Sequence, residues 1–182
     1  MDRLWSPWRY QYVSREAPAE CIFCVKAAEY RDHDNFVVAR GRLNYILLNL
    51  YPYTTGHLMI VPYQHVATLT DAERETLEEM MRLTRLAEGV LRAVYRARGF
   101  NIGMNIGECA GAGVAGHIHM HVVPRWPADS NFLTTIGETR VLPEDLPTTY
   151  RRLLAGFREQ AGKEGCPLEF PPPPPGERGP FS

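Results

Sequence analysis

The sequence has no long apolar segment. Its longest uninterrupted apolar run covers residues 21–25, which is five residues. A membrane-spanning helix needs about 20 such residues, and the apolar part of a secretion signal needs about 7–15. We therefore expect a cytoplasmic protein that has no membrane partner.

The sequence also lacks an excess of charge of either sign. Lys and Arg number 20 against 21 Asp and Glu, so the formal net charge is -1. Proteins that bind DNA or RNA along the phosphate backbone carry a basic excess, so a nucleic-acid partner is disfavoured. A small anionic ligand stays compatible with this balance.

Cysteine is scarce, with four residues in the chain, Cys21, Cys24, Cys109 and Cys166. The cytosol keeps thiols reduced, so these cysteines do not predict a disulfide framework. The Cys21/Cys24 pair therefore needs another explanation.

Proline is concentrated at the C-terminal end. Seven of the 15 prolines fall in residues 161–182, and five of them form the run 171–175. Such a segment lacks backbone donors and favours an extended polyproline II conformation. We predict one folded domain over residues 1–160 and a disordered, proline-rich tail over residues 161–182, because a chain of 182 residues is long enough for a full core.

Hydrophobic periodicity within the first 160 residues predicts an α+β fold. A helix is indicated after the capping-box sequence at residues 70–73, with Gly99 as its stop. Its predicted buried face is Leu77, Met80, Met81, Thr84, Ala87, Leu91, Val94 and Tyr95. Strand-like runs cover residues 36–40, 43–50, 57–61, 100–106 and 118–123. This order predicts an antiparallel sheet of about five strands, with one long helix on one side and a C-terminal helix.

Three histidines alternate with apolar residues in the last predicted strand. Side chains alternate between the two faces of a strand, so His117, His119 and His121 are expected to line one accessible face. Two kinds of chemistry fit such a row: a metal site, since imidazole is a common zinc ligand, or a nucleophilic histidine flanked by orienting and acid/base histidines. The preceding loop carries glycines at 107, 111, 113 and 116, which let backbone N–H groups approach an anion, and this favours phosphoryl chemistry.

The segment from Gly116 to Trp126 resembles the active-site signature of the histidine triad (HIT) family of nucleotide hydrolases and transferases. Residues 47–62 resemble the strand, loop and strand that embrace the nucleotide in that family. Residues 4–9, 124–126, 131–132 and 135–137 are similar to the prokaryotic branch that includes diadenosine tetraphosphate phosphorylases. The resemblance covers residues 4 to about 157 and implies a homodimer.

The resemblance assigns catalytic roles to two histidines. His119 would attack the α-phosphorus of a nucleoside polyphosphate and form a nucleotidyl-histidine intermediate, and His121 would contact the transferred phosphate and the bridging oxygen. His57, at the start of a strand, is interpreted as a structural hydrogen-bonding residue near the site.

Matching positions in the family also suggest substrate-binding residues. They imply that Asn49 binds the ribose and that Asn105 and the loop Gly111, Ala112 and Gly113 contact phosphate. Many members have glutamine and then serine or threonine in this loop. Here Ala112 and Gly113 leave only backbone N–H groups for that purpose.

The Cys-x2-Cys sequence fits a redox pair, two small buried residues or a metal site. Some HIT relatives with this pair use two matching histidines to complete a structural zinc site, and this resemblance implies the ligands Cys21, Cys24, His65 and His117. Four protein ligands leave no open coordination position, so the resemblance implies a structural role for zinc.

These observations predict an enzyme that transfers a nucleotidyl group from dinucleoside polyphosphates. Its preferred reaction is phosphorolysis of diadenosine tetraphosphate to ATP and ADP, with inorganic phosphate as the acceptor. One alternative is hydrolysis of dinucleoside polyphosphates or nucleoside phosphoramidates. Another is a non-catalytic module that binds nucleotide or zinc.

Overall fold

Five strands form one antiparallel sheet in the computed structural model, which describes residues 20–127, 129 and 142–172. The strands lie in the order β1-β2-β3-β5-β4. Their bounds are β1 Val37–Arg40, β2 Asn44–Leu48, β3 Leu58–Pro62, β4 Gly99–Gly103 and β5 Met120–Arg125. The predicted α+β fold with a five-stranded antiparallel sheet is confirmed.

Two long helices cover one face of this sheet. The helices are α1 Ile22–Glu29, α2 Asp32–Asn35, α3 Arg74–Tyr95 and α4 Leu146–Glu164. The main core joins α3 and α4 to alternate residues of the strands, among them Ile46, Ile60 and Val122. The long helix and the C-terminal helix of the prediction correspond to α3 and α4.

The opposite face of the sheet has a smaller core under α1. Phe23 of α1 packs there with Tyr45, Leu47, Met59 and Val61, which alternate along β2 and β3 with residues of the main core. This packing brings the start of α1, and with it the Cys-x2-Cys sequence, onto the face that carries the histidines.

The ends of α3 differ from the prediction. The helix starts at Arg74 with Glu73 as its N-cap, whereas the predicted capping box has Thr70 in that place; the Thr70 hydroxyl instead lies 2.8 Å from that of Thr68. It ends at Tyr95, because the next residue, Arg96, adopts a left-handed conformation at φ 52, and Gly99 begins β4 instead. Met81, predicted to be buried, is 58% exposed.

The folded part also extends beyond residue 160, where the tail was predicted to begin. Helix α4 continues to Glu164 and ends at Gly165, and Glu169 then pairs with Arg40 through two backbone hydrogen bonds of 2.8 Å. Leu168 and Phe170 pack against the main core. Residues 161–172 fold because their apolar side chains find partners, and because Glu169, which precedes the proline run at residues 171–175, keeps the backbone N–H that pairs with Arg40.

Several sequence predictions fall outside the described residues. These are residues 4–9, 131–132 and 135–137, which carry part of the family resemblance, and residues 173–182 of the predicted tail. Among the described residues, no helix has the length and apolar character that crossing a membrane requires.

Candidate active site

His119 and His121 lie side by side on the face of β5 that is turned away from α3. Their ring centroids are 4.8 Å apart, and the side chain of Met120 between them packs against the main core. The predicted alternation of faces is therefore seen, but the predicted accessible row is not. His117 and His119 are only 1% and 5% exposed, because the ring of Phe23 packs against both, with centroids 5.4 Å and 4.9 Å away.

The hydrogen bonds of His119 fix which of its nitrogens is unprotonated. Its Nδ1 lies 2.9 Å from the backbone carbonyl of His117, which can only accept, so Nδ1 carries the proton. Burial lowers the pKa of His119, so the ring is neutral at pH 7. The lone pair on Nε2 is then available for nucleophilic attack.

A second chain of bonds fixes the tautomer of His121. The backbone N–H of Tyr53 donates to Nδ1 of His57 at 3.1 Å, so the proton of neutral His57 sits on Nε2. That Nε2 donates to Nδ1 of His121 at 2.9 Å, which leaves the proton of His121 on its own Nε2. His121 therefore presents an N–H donor beside the nucleophile.

His57 and His121 are both neutral at physiological pH. Burial, together with the neighbouring His121 and His119, lowers the pKa of His57 to about 3. Burial and the neighbouring His119 lower the pKa of His121 to about 4. The two tautomers deduced above are therefore the states that the protein itself presents at pH 7.

Cys21, Cys24, His65 and His117 converge at the start of α1. Their ligand atoms all lie within 4.8 Å of one another. Nδ1 of His117 is 3.3 Å from Sγ of Cys21, 3.6 Å from Sγ of Cys24 and 3.2 Å from Nδ1 of His65, and Nδ1 of His65 is 3.3 Å from Sγ of Cys24. Metal bonds of about 2.3 Å to sulfur and 2.0–2.1 Å to nitrogen place the ligand atoms of a tetrahedral zinc site about 3.3–3.8 Å apart, so the set fits such a site.

The orientation of His117 also suits metal binding. Its Nε2 donates to the carbonyl of Pro62 at 2.9 Å, so the neutral ring keeps a lone pair on Nδ1, the nitrogen that faces the cysteines. Ring nitrogens of metal-binding histidines are commonly held in this way by a backbone carbonyl. The structure thus provides a four-residue candidate metal site, two residues along the chain from His119.

The HIT domain model matches residues 31–128 of the chain, which include the histidine strand and the loop around Asn49. The chain belongs to the HIT family. A relative from Mycobacterium tuberculosis named AP-4-A phosphorylase is 44% identical over 165 residues, covering 85% of this chain and 83% of the relative. The bis(5'-nucleosyl)-tetraphosphatase [asymmetrical] of Schizosaccharomyces pombe is 33% identical, covering 74% of this chain and 72% of the relative.

Solved HIT structures share the fold. A zinc-bound histidine triad family protein from Mycobacterium smegmatis superposes with a TM-score of 0.64 at 28% sequence identity, covering 79% of this chain and 97% of that protein.

The HIT resemblance suggested Asn49 as a ribose ligand. In the structure its Oδ1 accepts the backbone N–H of Tyr51 at 2.9 Å, and its Nδ2 lies 3.4 Å from Nδ1 of His57. Asn49 thus holds the loop that positions His57, and it lies half-buried at the end of β2.

The suggested phosphate-binding residues lie in the loop between β4 and β5. Gly107 and Gly111 have φ values of +84° and +82°, a conformation that favours glycine. The N–H groups of Gly111 and Ala112 donate to carbonyls of Glu108 and Gly107 within the loop. These two N–H groups can therefore contact a phosphate only if they share their hydrogen bonds or if the loop rearranges. Asn105 and Gly113 lie on either side of this turn.

Sequence reasoning missed two features of this HIT active site. It placed His57 near the site without its partner, His121, because the pairing depends on the register of β3 with β5, where Met59 lies opposite His121. It also gave no role to Phe23, although an aromatic residue between two metal-ligating cysteines is a local signal for packing beside the metal site.

Proposed function

We propose that this protein transfers a nucleotidyl group from dinucleoside polyphosphates through His119, and that its reaction is phosphorolysis of diadenosine tetraphosphate to ATP and ADP. The observation that carries the proposal is the pair of fixed tautomers. A buried imidazole with a lone pair on Nε2 lies beside His121, whose Nε2 donates. The 44% identity to the M. tuberculosis protein named AP-4-A phosphorylase supports the choice of substrate.

The residues would act in two displacement steps. Nε2 of His119 attacks the α-phosphorus, the bond to the bridging oxygen breaks, and ATP departs while His121 donates a hydrogen bond to that oxygen. The ring of His119 gains positive charge as it is nucleotidylated, and the carbonyl of His117, which accepts from Nδ1, stabilises that charge. An oxygen of inorganic phosphate then attacks the same phosphorus, which releases His119 and gives ADP.

Hydrolysis is the second candidate, because water can replace phosphate in the second step without any change in the first. The S. pombe tetraphosphatase and an adenosine 5'-monophosphoramidase of Saccharomyces cerevisiae, 33% and 29% identical to this chain, favour it. A non-catalytic nucleotide-binding module is the remaining alternative, and it predicts no turnover in any condition.

The deciding experiment is incubation with diadenosine tetraphosphate with and without inorganic phosphate, followed by chromatography of the nucleotides. ATP plus ADP that forms only with phosphate supports the phosphorylase. AMP plus ATP, or two ADP, without phosphate supports a hydrolase. The control variant His119→Ala should bind the substrate but give no product, and unchanged turnover in this variant would contradict the nucleophile assignment.

We also propose that Cys21, Cys24, His65 and His117 hold a structural zinc ion. Zinc bound there would supply no open coordination position and would fix the start of α1 against β5. The expected content is about one zinc per chain by elemental analysis, in line with a closed four-ligand site. Cys24→Ala should lose most of that zinc and lower thermal stability, and a metal-free protein of undiminished stability would contradict the proposal.

We propose the substrate contacts and the dimeric assembly that the HIT resemblance implies. Asn49 would bind a ribose hydroxyl, and Asn105 and the loop Gly111, Ala112 and Gly113 would contact phosphate. A homodimer is supported by strand β4, which lies at one edge of the described sheet with an exposed Ile102. Light scattering after gel filtration measures the dimer directly.

A further inference from the structure

Tyr53 is a large aromatic residue at the mouth of the candidate active site. Its side chain is 53% exposed, whereas its neighbour His57 is fully buried. The Tyr53 ring lies against His57 with centroids 4.6 Å apart, and it stands 6.1 Å from the ring of His121 with the two planes only 25° apart. The loop holds it there, because the backbone N–H of Tyr53 donates to His57.

The position of Tyr53 corresponds to the side on which the leaving group departs. In an in-line displacement the leaving oxygen lies opposite the attacking nitrogen, and His121 is the residue that bonds to that oxygen. The departing part of the substrate therefore extends past His121, whose ring has Tyr53 as its exposed aromatic neighbour. On the other side of His121, Gly103 of β4 is paired with it, and a side chain atom added there would meet nothing within 4 Å. The space around His121 is thus open toward β4 and bounded by an aromatic ring toward the loop of Tyr53.

We propose that the exposed ring of Tyr53 stacks on the base of the second nucleoside, the one that departs with the leaving nucleotide. This inference rests on the proposed function, because it names the part of a dinucleoside substrate that the site would recognise. A site that contacts only the first nucleoside and its α-phosphate meets the same groups in a dinucleoside tetraphosphate and in ATP, which has the same 5' end and is itself a product. Stacking on the second base supplies this discrimination without a hydrogen bond to a particular base.

The test compares variants at one position with two ligands. Tyr53→Ala removes the ring, Tyr53→Leu keeps apolar bulk, and Tyr53→Phe is the matched control that keeps the ring. All three keep the backbone N–H that holds His57. The ligands are diadenosine tetraphosphate, measured by its KM, and adenosine 5'-tetraphosphate, which lacks the second nucleoside and is measured by its Ki as a competitor. Calorimetric Kd values for both ligands give a second readout that does not depend on turnover.

Tyr53→Ala should raise the KM and the Kd of the dinucleotide about 5- to 140-fold, which corresponds to about 1–3 kcal/mol of base stacking at 1.4 kcal/mol per tenfold. The Ki and Kd of adenosine 5'-tetraphosphate should change less than about twofold, as for an ordinary surface substitution. The KM and Kd of the dinucleotide for Tyr53→Phe should match those of the wild type. The values for Tyr53→Leu should fall between those of the wild type and those of Tyr53→Ala.

Equal weakening of both ligands, or no change in either, would overturn the role of Tyr53. Wild-type protein that binds the dinucleotide without cleaving it would refute the proposed enzymatic function, while the ratio of the two Kd values would still decide the stacking role. Wild-type protein that does not bind the dinucleotide would refute both.

Discussion

Replacement of His57 by leucine tests whether a fixed tautomer of His121 matters for the reaction. His57 is fully buried, and its Nε2 donates to Nδ1 of His121 at 2.9 Å. Leucine removes this donor but leaves apolar bulk in its place, so the main loss is the hydrogen bond that orients His121. A buried acceptor that loses its partner costs about 1–3 kcal/mol, and if this cost appears in the transition state, kcat/KM falls about 5- to 140-fold.

The assay is steady-state cleavage of diadenosine tetraphosphate by wild type, His57→Leu and His57→Gln. The glutamine amide offers an N–H donor toward His121, so His57→Gln should recover part of the rate. Adenosine 5'-phosphoramidate extends the comparison, because its leaving amine must be protonated, whereas ATP departs as a phosphate whose second pKa is near 6. The loss in His57→Leu should therefore be larger for the phosphoramidate.

Zinc content and the melting temperature of each variant separate a local effect from a loss of fold. If His57→Leu retains the wild-type kcat/KM on both substrates while it stays folded, the tautomer argument is wrong. A rate loss that is identical for both leaving groups would place the role of His57 in substrate binding instead of proton donation.

Three further predictions concern acid, packing and the covalent intermediate. The folded-state pKa of His57 is about 3 and its unfolded value is near 6.5. Its contribution to stability is therefore complete above pH 6.5 and is lost as the pH falls toward 3. In chemical denaturation, this residue should contribute about 2 kcal/mol less to the free energy of unfolding at pH 5 than at pH 7.5. Gly156→Ala would put a Cβ 2.5 Å from Cγ2 of Val94, and this overpacking should cost about 1–3 kcal/mol, more than the gain in helix propensity, so the melting temperature should fall. In the control Gly162→Ala the added Cβ meets nothing within 4 Å, so the melting temperature should rise. Protein quenched in acid-free denaturant during turnover of a radiolabelled substrate should carry label, and His119→Ala should carry none; equal labelling of both would place the covalent bond elsewhere.

The sequence predicted the parts of the site that depend on local patterns. Alternation along one strand placed His119 and His121 on the same face, and the family resemblance supplied the two cysteines and two histidines that the fold brings together. The five strands and the long helix were likewise predictable, because each is encoded by the periodicity of its own apolar residues.

What could not be predicted depends on register and on competing contacts. The bond between His57 and His121 requires β3 and β5, which are about 60 residues apart, to pair with Met59 opposite His121. The predicted ends of α3 were wrong because Thr70 bonds to Thr68 outside the helix and because an arginine takes the left-handed position. No pattern within a single strand or helix contains this information.

The candidate metal site and the proposed nucleophile are linked, because His117 contributes to both with different atoms. Its Nδ1 faces the cysteines, its Nε2 donates to Pro62, and its backbone carbonyl accepts from Nδ1 of His119. Any residue at position 117 would supply a carbonyl, and the peptide group that carries it is also held by the backbone N–H of Ile118, which donates to the carbonyl of Val66 at 2.8 Å. Phe23, between the two cysteines, adds the packing that keeps the ring of His119 in place. The short spacing of the three histidines thus connects the candidate metal site to the proposed nucleophile, His119, through a single peptide carbonyl.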